Sequence, residues 1–317
     1  MQIFHNANYN FIKYRWHALV ISMVLIWGGV AMMYFRGGLP MGIDFTGGTV
    51  VIVQFTQPTS EDTVRKALDP VTTDKVVQSY GRDGKNRIMI RLPLPAGQVE
   101  QGANLESDAK KVENALRTAK LDFDPSATEK TIVGPQVGAD LQSKGIWALL
   151  TALGGIMIYV AFRFRLTFAV GAIIATFHDI LITIVFLWMF HYDMSLNIIA
   201  AILTIAGYSV NDTIVVFDRV RENLRTMRRE PLDQVVNKSV NQTLGRTIIT
   251  SGVTFLAVLA LYIWGGEVLR GFAFTMMVGV ITGTYSTVFI AASIAIILSR
   301  RPTGPAGAAA KARTARA

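Results

Sequence analysis

The sequence predicts a membrane all-α bundle of six transmembrane helices carrying one inserted α+β domain. Three observations predict it. Hydrophobic residues make up 51% of the 317-residue chain and charged residues only 17%, where soluble domains run nearer ~25% charged; the mean hydropathy is +0.38. The apolar residues gather into six long, charge-poor runs. One long polar stretch, 36–144, separates the first run from the other five.

The runs lie at about 16–35, 145–162, 167–190, 195–217, 246–264 and 271–298. Each is long enough to cross a hydrocarbon core ~30 Å thick at a rise of ~1.5 Å per helical residue. The first follows Lys13 and Arg15 and resembles a signal sequence, but it is long and no small-residue cleavage site follows, so it reads as an uncleaved span over 1–35 with its short N-terminal lead. The last is long enough to tilt or to project beyond the membrane. The connections among 145–298 are short except for a charged one, expected to be a loop, at about 218–245. If the N-terminus is cytoplasmic, the cytoplasmic segments hold 16 Lys and Arg against four acids, Asp218, Glu222, Glu230 and Asp233. The positive-inside rule therefore places both termini in the cytoplasm and 36–144 outside. The tail 299–317, rich in Ala, Gly, Pro and Arg, reads as disordered.

Within 36–144, Thr49 to Phe55 is a β-branched strand and Ser60 to Leu68 a short helix capped by Thr59 or Ser60. Lys75 to Tyr80 and Arg87 to Leu92 are strands joined across Gly81-Arg82-Asp83-Gly84. Ile88, Ile90 and Leu92 alternate with Met89 and Arg91, as in a half-buried strand. Ala103 to Lys120 is an amphipathic helix, and Thr128 to Val133 closes the set. The order is that of a ferredoxin-like βαββαβ sandwich, a fold that hosts many functions.

Three ionisable groups fall inside spans: His178, Asp179 and Asp212. Arg246 sits at the inner edge of the fifth. A charge at the bilayer centre costs at least ~2.5–3.5 kcal/mol, so such groups usually face a polar interior and do a job. Counting from the outer ends of their helices, Asp212 and Arg246 both lie roughly 25 Å deep, and neighbouring antiparallel helices would bring them level. Two readings stand. In one, Asp212 binds and releases protons while a mobile Arg246 changes its affinity between states. In the other, the two form a fixed ion pair that orders the bundle. Asn211 and Ser209 belong to the same expected polar seam, by hydrogen bonding or by plain helix packing. His178 and Asp179 read equally as stations on a proton path or as an interhelical hydrogen bond; about 100° apart on the helix, they are not expected to form one site with each other. Gly279 and Gly283 form a GxxxG packing face. Gly47, Gly48, Gly134 and Gly138 stand where the outer domain joins the membrane and read as turns and hinges.

Several classes of function lack support. The chain has no cysteine, which excludes disulfides and thiolate metal sites. No nucleotide-binding Gly-Lys-Ser/Thr loop, metal cluster or nucleophile–base pair stands out, so an enzyme is not indicated and no cofactor is implied. The net charge of +9 is explained by cytoplasmic Lys and Arg near membrane lipid rather than by nucleic acid.

Short strings carry a family resemblance. Gly42 to Thr49 opens the outer domain and Val133 to Leu141 closes it. His178-Asp179 lies in the third span, Gly207 to Arg219 ends the fourth, and Arg246 to Gly252 begins the fifth. In order and spacing the chain resembles the SecF branch of the SecD/SecF family of protein-export proteins, related to proton-driven transporters of the resistance-nodulation-division (RND) type. The resemblance implies a multi-pass protein of the bacterial inner membrane with a periplasmic domain. It implies SecD and the SecYEG translocon as partners, unfolded preproteins as substrate, and protons as the coupling ion, with the matching Asp212 and Arg246 at work. The competing readings are a proton-coupled small-molecule transporter subunit and a non-transporting scaffold.

Overall fold

The computed structural model describes residues 8–72, 75–80, 86–93 and 105–299. The expected turn at Gly81-Arg82-Asp83-Gly84, the first residues of the Ala103 helix and nearly all of the tail lie outside the described residues. Six helical spans are long and apolar enough to cross a membrane. They are formed by α1 (Arg15–Phe35), α5 (Pro135–Arg163), α6 (Leu166–Met189), α7 (Leu196–Thr226), α8 (Leu232–Trp264) and a composite last helix. That last helix begins as α9 (Gly266–Ser286), passes through a π-helical turn at Thr287–Ala291 and ends as α10 (Ala292–Ser299).

Burial sorts these helices. In their most apolar windows α6 and the composite helix bury 61% of residues, whereas α1 buries 22% and α5 and α8 only 17% each. The centre of the bundle is therefore α6, α9–α10 and one face of α7, with the other helices arranged around them. Small residues permit the close approach. Gly279 and Gly283 lie against Ile205 and Ser209 of α7, with an added Cβ at Gly279 only 2.3 Å from Ile205. At Gly171 of α6 a Cβ would come within 2.9 Å of the Ala291 carbonyl oxygen, so the π-turn is seated on a glycine.

The segment expected to be a charged loop at 218–245 is helical except for 227–231. Its charges are real, but they occupy one face. Val220 of α7 and Val235 and Val236 of α8 are fully buried on the other, and Asn223 Nδ2 donates to Ser239 Oγ at 2.8 Å. The two helices thus zip together beyond their apolar runs. Asp218, with its side chain 39% exposed, accepts from Arg163 Nη2 at 2.8 Å.

The inserted domain holds β1 (Gly48–Phe55), α3 (Glu61–Ala67), β2 (Val76–Ser79), β3 (Arg87–Pro93), α4 (Leu105–Thr118) and β4 (Phe123–Val133), preceded by the single-turn α2 (Ile43–Thr46). The sheet is antiparallel throughout, with strand order β2-β3-β1-β4. Ser60 is the cap of α3, its Oγ accepting the Thr63 N–H at 3.3 Å. One face of the sheet packs Val51, Val53, Ile88 and Ile90 against Val64, Leu68, Val112 and Leu116 of the two helices. The other face carries Val50 and Ile52 against Ile43. The final strand is longer than the expected Thr128–Val133. Its first residues pair after an irregularity between Ile52 and Gln54, which lets Asp124 meet Gln54 across an interruption containing Pro125 and Ser126.

The half-buried reading of the Arg87 strand needs one correction. Ile88, Ile90 and Leu92 are buried as expected, but Arg91 on the opposite face is only 9% exposed and pairs with Asp193 from the α6–α7 connection. That face looks toward the bundle, not toward solvent.

The four junction glycines differ in kind. Gly47 and Gly48 hold φ of 69° and 135°, which a side chain rarely tolerates. Gly138 is a close approach, since an added Cβ would lie 2.9 Å from the Gly47 nitrogen and 3.0 Å from the Phe45 carbonyl oxygen. Gly134 has an ordinary φ of −67° and open space around it. Gly138→Ala should therefore destabilise the protein by about 1–3 kcal/mol, while Gly134→Ala should be close to neutral; melting of the purified protein in detergent compares them.

Candidate functional site

Hydroxyl and carboxylate side chains from four helices meet along a seam between α6, α7, α8 and α9. Asp179 of α6 is completely buried. Its Oδ2 accepts from Ser209 Oγ of α7 at 2.5 Å and from Ser286 Oγ of α9 at 2.7 Å. Its Oδ1 stands 2.9 Å from Nδ1 of His178. The expectation that neighbours 100° apart would not share a site fails here. The imidazole swings along the helix surface to the carboxylate, which leaves its own helix axis toward α7 and α9. His178 also stacks on Tyr285 at 6.2 Å, and its buried Nε2 has no hydrogen-bond partner among the described residues.

Asp212 sits one turn after Ser209 on α7 and is 3% exposed. Among the described residues its side-chain hydrogen-bond partner is Ser251 of α8, whose Oγ donates to Oδ2 at 3.3 Å. Ser251 in turn accepts from Thr284 Oγ1 at 2.8 Å and from the Tyr208 hydroxyl at 3.1 Å. Thr284 Oγ1 lies equally close, at 2.8 Å, to the Val280 carbonyl, and a hydroxyl has one proton to give, so the Thr284 proton is shared between that carbonyl and Ser251. Beside this chain, Thr213 and Thr287 share a hydrogen bond at 3.0 Å between α7 and the π-turn.

Arg246 is not paired with Asp212. Among the described residues no ion pair joins them, although the guanidinium lies within electrostatic reach. The depth estimate took the ends of the two helices as level. They are offset, so the residue opposite Asp212 is Ser251, five positions on and about 7.5 Å of helix rise from Arg246. Arg246 is exposed on the flank of the bundle. Asn211 is exposed as well, so of the expected seam pair only Ser209 lies in the seam. Thr204, Gly207 and Asn211, at i, i+3 and i+7, form one exposed stripe of α7. Arg246 and Thr250 are exposed on α8.

Sequence reasoning missed Ser251, Thr284, Ser286 and Thr287. Single hydroxyls inside apolar runs are common in membrane helices and satisfy themselves on their own backbone, as Thr204 does with Ala200. The cluster Thr284-Tyr285-Ser286-Thr287 was the available signal.

The geometry predicts unequal costs. Asp179→Ala would leave the buried Ser209 hydroxyl without its acceptor, a loss worth about 1–3 kcal/mol, while Ser286 Oγ would keep the Gly283 carbonyl at 3.1 Å; Asp179→Asn keeps an acceptor oxygen. The alanine variant should accumulate poorly in membranes and melt several degrees lower, with the asparagine variant between it and the parent.

Comparison with known proteins places this chain in a family. The chain matches the family described as protein export membrane protein SecD/SecF, C-terminal, over residues 111–301, and the SecD/SecF GG motif over 35–59. It is 41% identical to the protein translocase subunit SecF of Rhodothermus marinus, over 95% of this chain and 96% of that one. It is 40% identical to that of Escherichia coli O157:H7, over 92% and 88%. Among solved structures it resembles SecDF, a translocon-associated membrane protein from Thermus thermophilus, with a TM-score of 0.81 and 32% identity. That match covers 95% of this chain and 40% of the SecDF chain. A SecDF structure in a super-membrane-facing form matches with a TM-score of 0.68 and 31% identity, over 97% and 40%. The chain belongs to the SecD/SecF family of protein-export membrane proteins.

Proposed function

We propose that this chain is the SecF-type subunit of a Sec protein-export accessory that works with SecD and SecYEG, drawing on the proton motive force at Asp212. In this reading the four-stranded domain is ferredoxin-like and periplasmic, both termini are cytoplasmic, and the substrate is unfolded preprotein.

The observation that carries the reading is the state of Asp212. A carboxylate has about four lone-pair sites, and this one, inside a membrane bundle, has among the described residues a single hydroxyl donor and no direct cation. A fixed ion pair with Arg246, the structural alternative, would need a contact that is absent among the described residues. Asp179 is the opposite case. With three partners it serves the bundle as an interhelical anchor, while the buried Nε2 of His178 has no hydrogen-bond partner among the described residues. The exposed stripe of Thr204, Gly207 and Asn211 together with Arg246 and Thr250 supports dependence on a partner. Polar side chains on a lipid-facing surface are costly, and a second subunit covering that flank would bring Arg246 into the shared interior. The 40% coverage of SecDF fits a chain that is one half of such an assembly.

The test is Asp212→Asn, supplied to cells depleted of their own copy, with secretion and co-purification of SecD followed together. The expected result is normal assembly with secretion close to the depleted level. Normal assembly with normal secretion would make the carboxylate dispensable and the chain a scaffold. Sensitivity to a toxic solute on depletion, with no build-up of uncleaved precursors, would replace export by small-molecule transport.

A further inference from the structure

We propose that Asp44, Arg91 and Asp193 form a latch that fixes the sheet-side end of α7 to the inserted domain, and that they are thereby positioning residues for Asp212 on the same helix. This rests on the ion-coupling reading of Asp212.

The first turn of any helix leaves N–H groups without partners inside the helix. At α7 one of them, that of Ile198, is taken by the helix's own Ser195 Oγ at 3.4 Å. The N–H of Leu196 is taken by Asp44 Oδ2 at 3.0 Å, from a residue 152 positions earlier on α2. A carboxylate there also meets the positive end of the helix dipole. Part of the cap of α7 therefore belongs to the inserted domain.

Three further contacts reach the same few residues. Arg91 of β3 pairs with Asp193, both side chains being nearly buried at 10% and 15% exposure. The Gly42 N–H donates to the Met194 carbonyl at 2.7 Å, and the Met194 N–H donates to the Pro40 carbonyl at 2.8 Å. A Cβ on Gly42 would stand 2.7 Å from that Met194 oxygen, so the approach admits no side chain. All of these contacts fall on Asp193 to Leu196, and all come from Pro40 to Asp44 and Arg91.

The consequence follows from continuity. The helix is unbroken from Leu196 through Asp212, 16 residues and about 24 Å of rise. A tilt or shift of α7 that accompanies ion binding must be carried by the latch into the sheet, and a displaced sheet must be felt at Asp212. The domain's covalent ties run to α1 and α5. Its tie to α7 is made of directional polar contacts that hold one geometry and can be remade in another.

The experiment uses the whole chain, co-expressed with its SecD partner. Because it has no cysteine, a spin-label pair can be placed with Asp62→Cys on α3 and Met189→Cys at the end of α6, both exposed. The parent is expected to give a narrow distance distribution. Arg91→Met and Asp44→Ala are expected to widen it and to lower secretion several-fold, and Arg91→Lys to keep it narrow. Asp212→Asn should lose secretion while the distribution stays narrow, which separates a broken latch from a lost ion site. A narrow distribution in both latch variants overturns the proposal, as does a widened one with parental secretion. Unimpaired secretion in Asp212→Asn would sink the ion-coupling reading instead, and the distance result would still report on the latch.

Discussion

Asp179 is a carboxylate with no access to water, and the centre of the bundle is built to satisfy it. Burying such a group without partners would cost far more than the bundle could offset. Its three partners come from α6 itself, α7 and α9, so the arrangement of these helices is fixed by one side chain. A purely apolar seam would permit sliding, because hydrocarbon contacts carry no direction and lipid competes with them on equal terms. Hydrogen bonds to one carboxylate do not permit it without being broken.

The backbone around this point is shaped to match. Gly279 and Gly283 let α9 lie directly on α7, which puts Ser286 within reach of Asp179 and Thr284 within reach of Ser251. Two residues apart on one helix, these hydroxyls face different neighbours, so α9 serves both carboxylates at once. Immediately beyond them the helix widens into the π-turn, whose Ala291 carbonyl rests on Gly171. Turns of this kind are marginal and recur at functional sites. Here one adjoins the groups that hold Asp179, and its Thr287 bonds Thr213 next to Asp212.

Much of this was legible in the sequence, and the failures share a cause. Long apolar runs mark spans because length and hydropathy are local properties. The sheet elements were legible because alternation and turn chemistry are local as well. Depth was not. Counting residues from helix ends put Arg246 level with Asp212, but relative axial position depends on which side chains interlock, and Ser251 is what α8 presents. The same limit hid Asn211 on the outer flank, the packing of 218–226 against 232–245 and the burial of Arg91. In each case the residue type was read correctly and its neighbour was not, since the neighbour lies on another helix or in another domain.

The two acids of the seam divide the work through their bonding. Asp179 has three partners in good geometry, and any movement of it would disturb three groups at once. Asp212 has one, at the long distance of 3.3 Å, with Arg246 near but unattached. If Asp212 binds and releases an ion, as proposed, a poorly satisfied ground state suits it, because every additional fixed hydrogen bond favours one charge state over the other. It also needs rigid surroundings, so that the difference between states is expressed in position and not dissipated in slack. The saturated carboxylate of α6 supplies that rigidity by holding Ser209, one helical turn before Asp212 on α7.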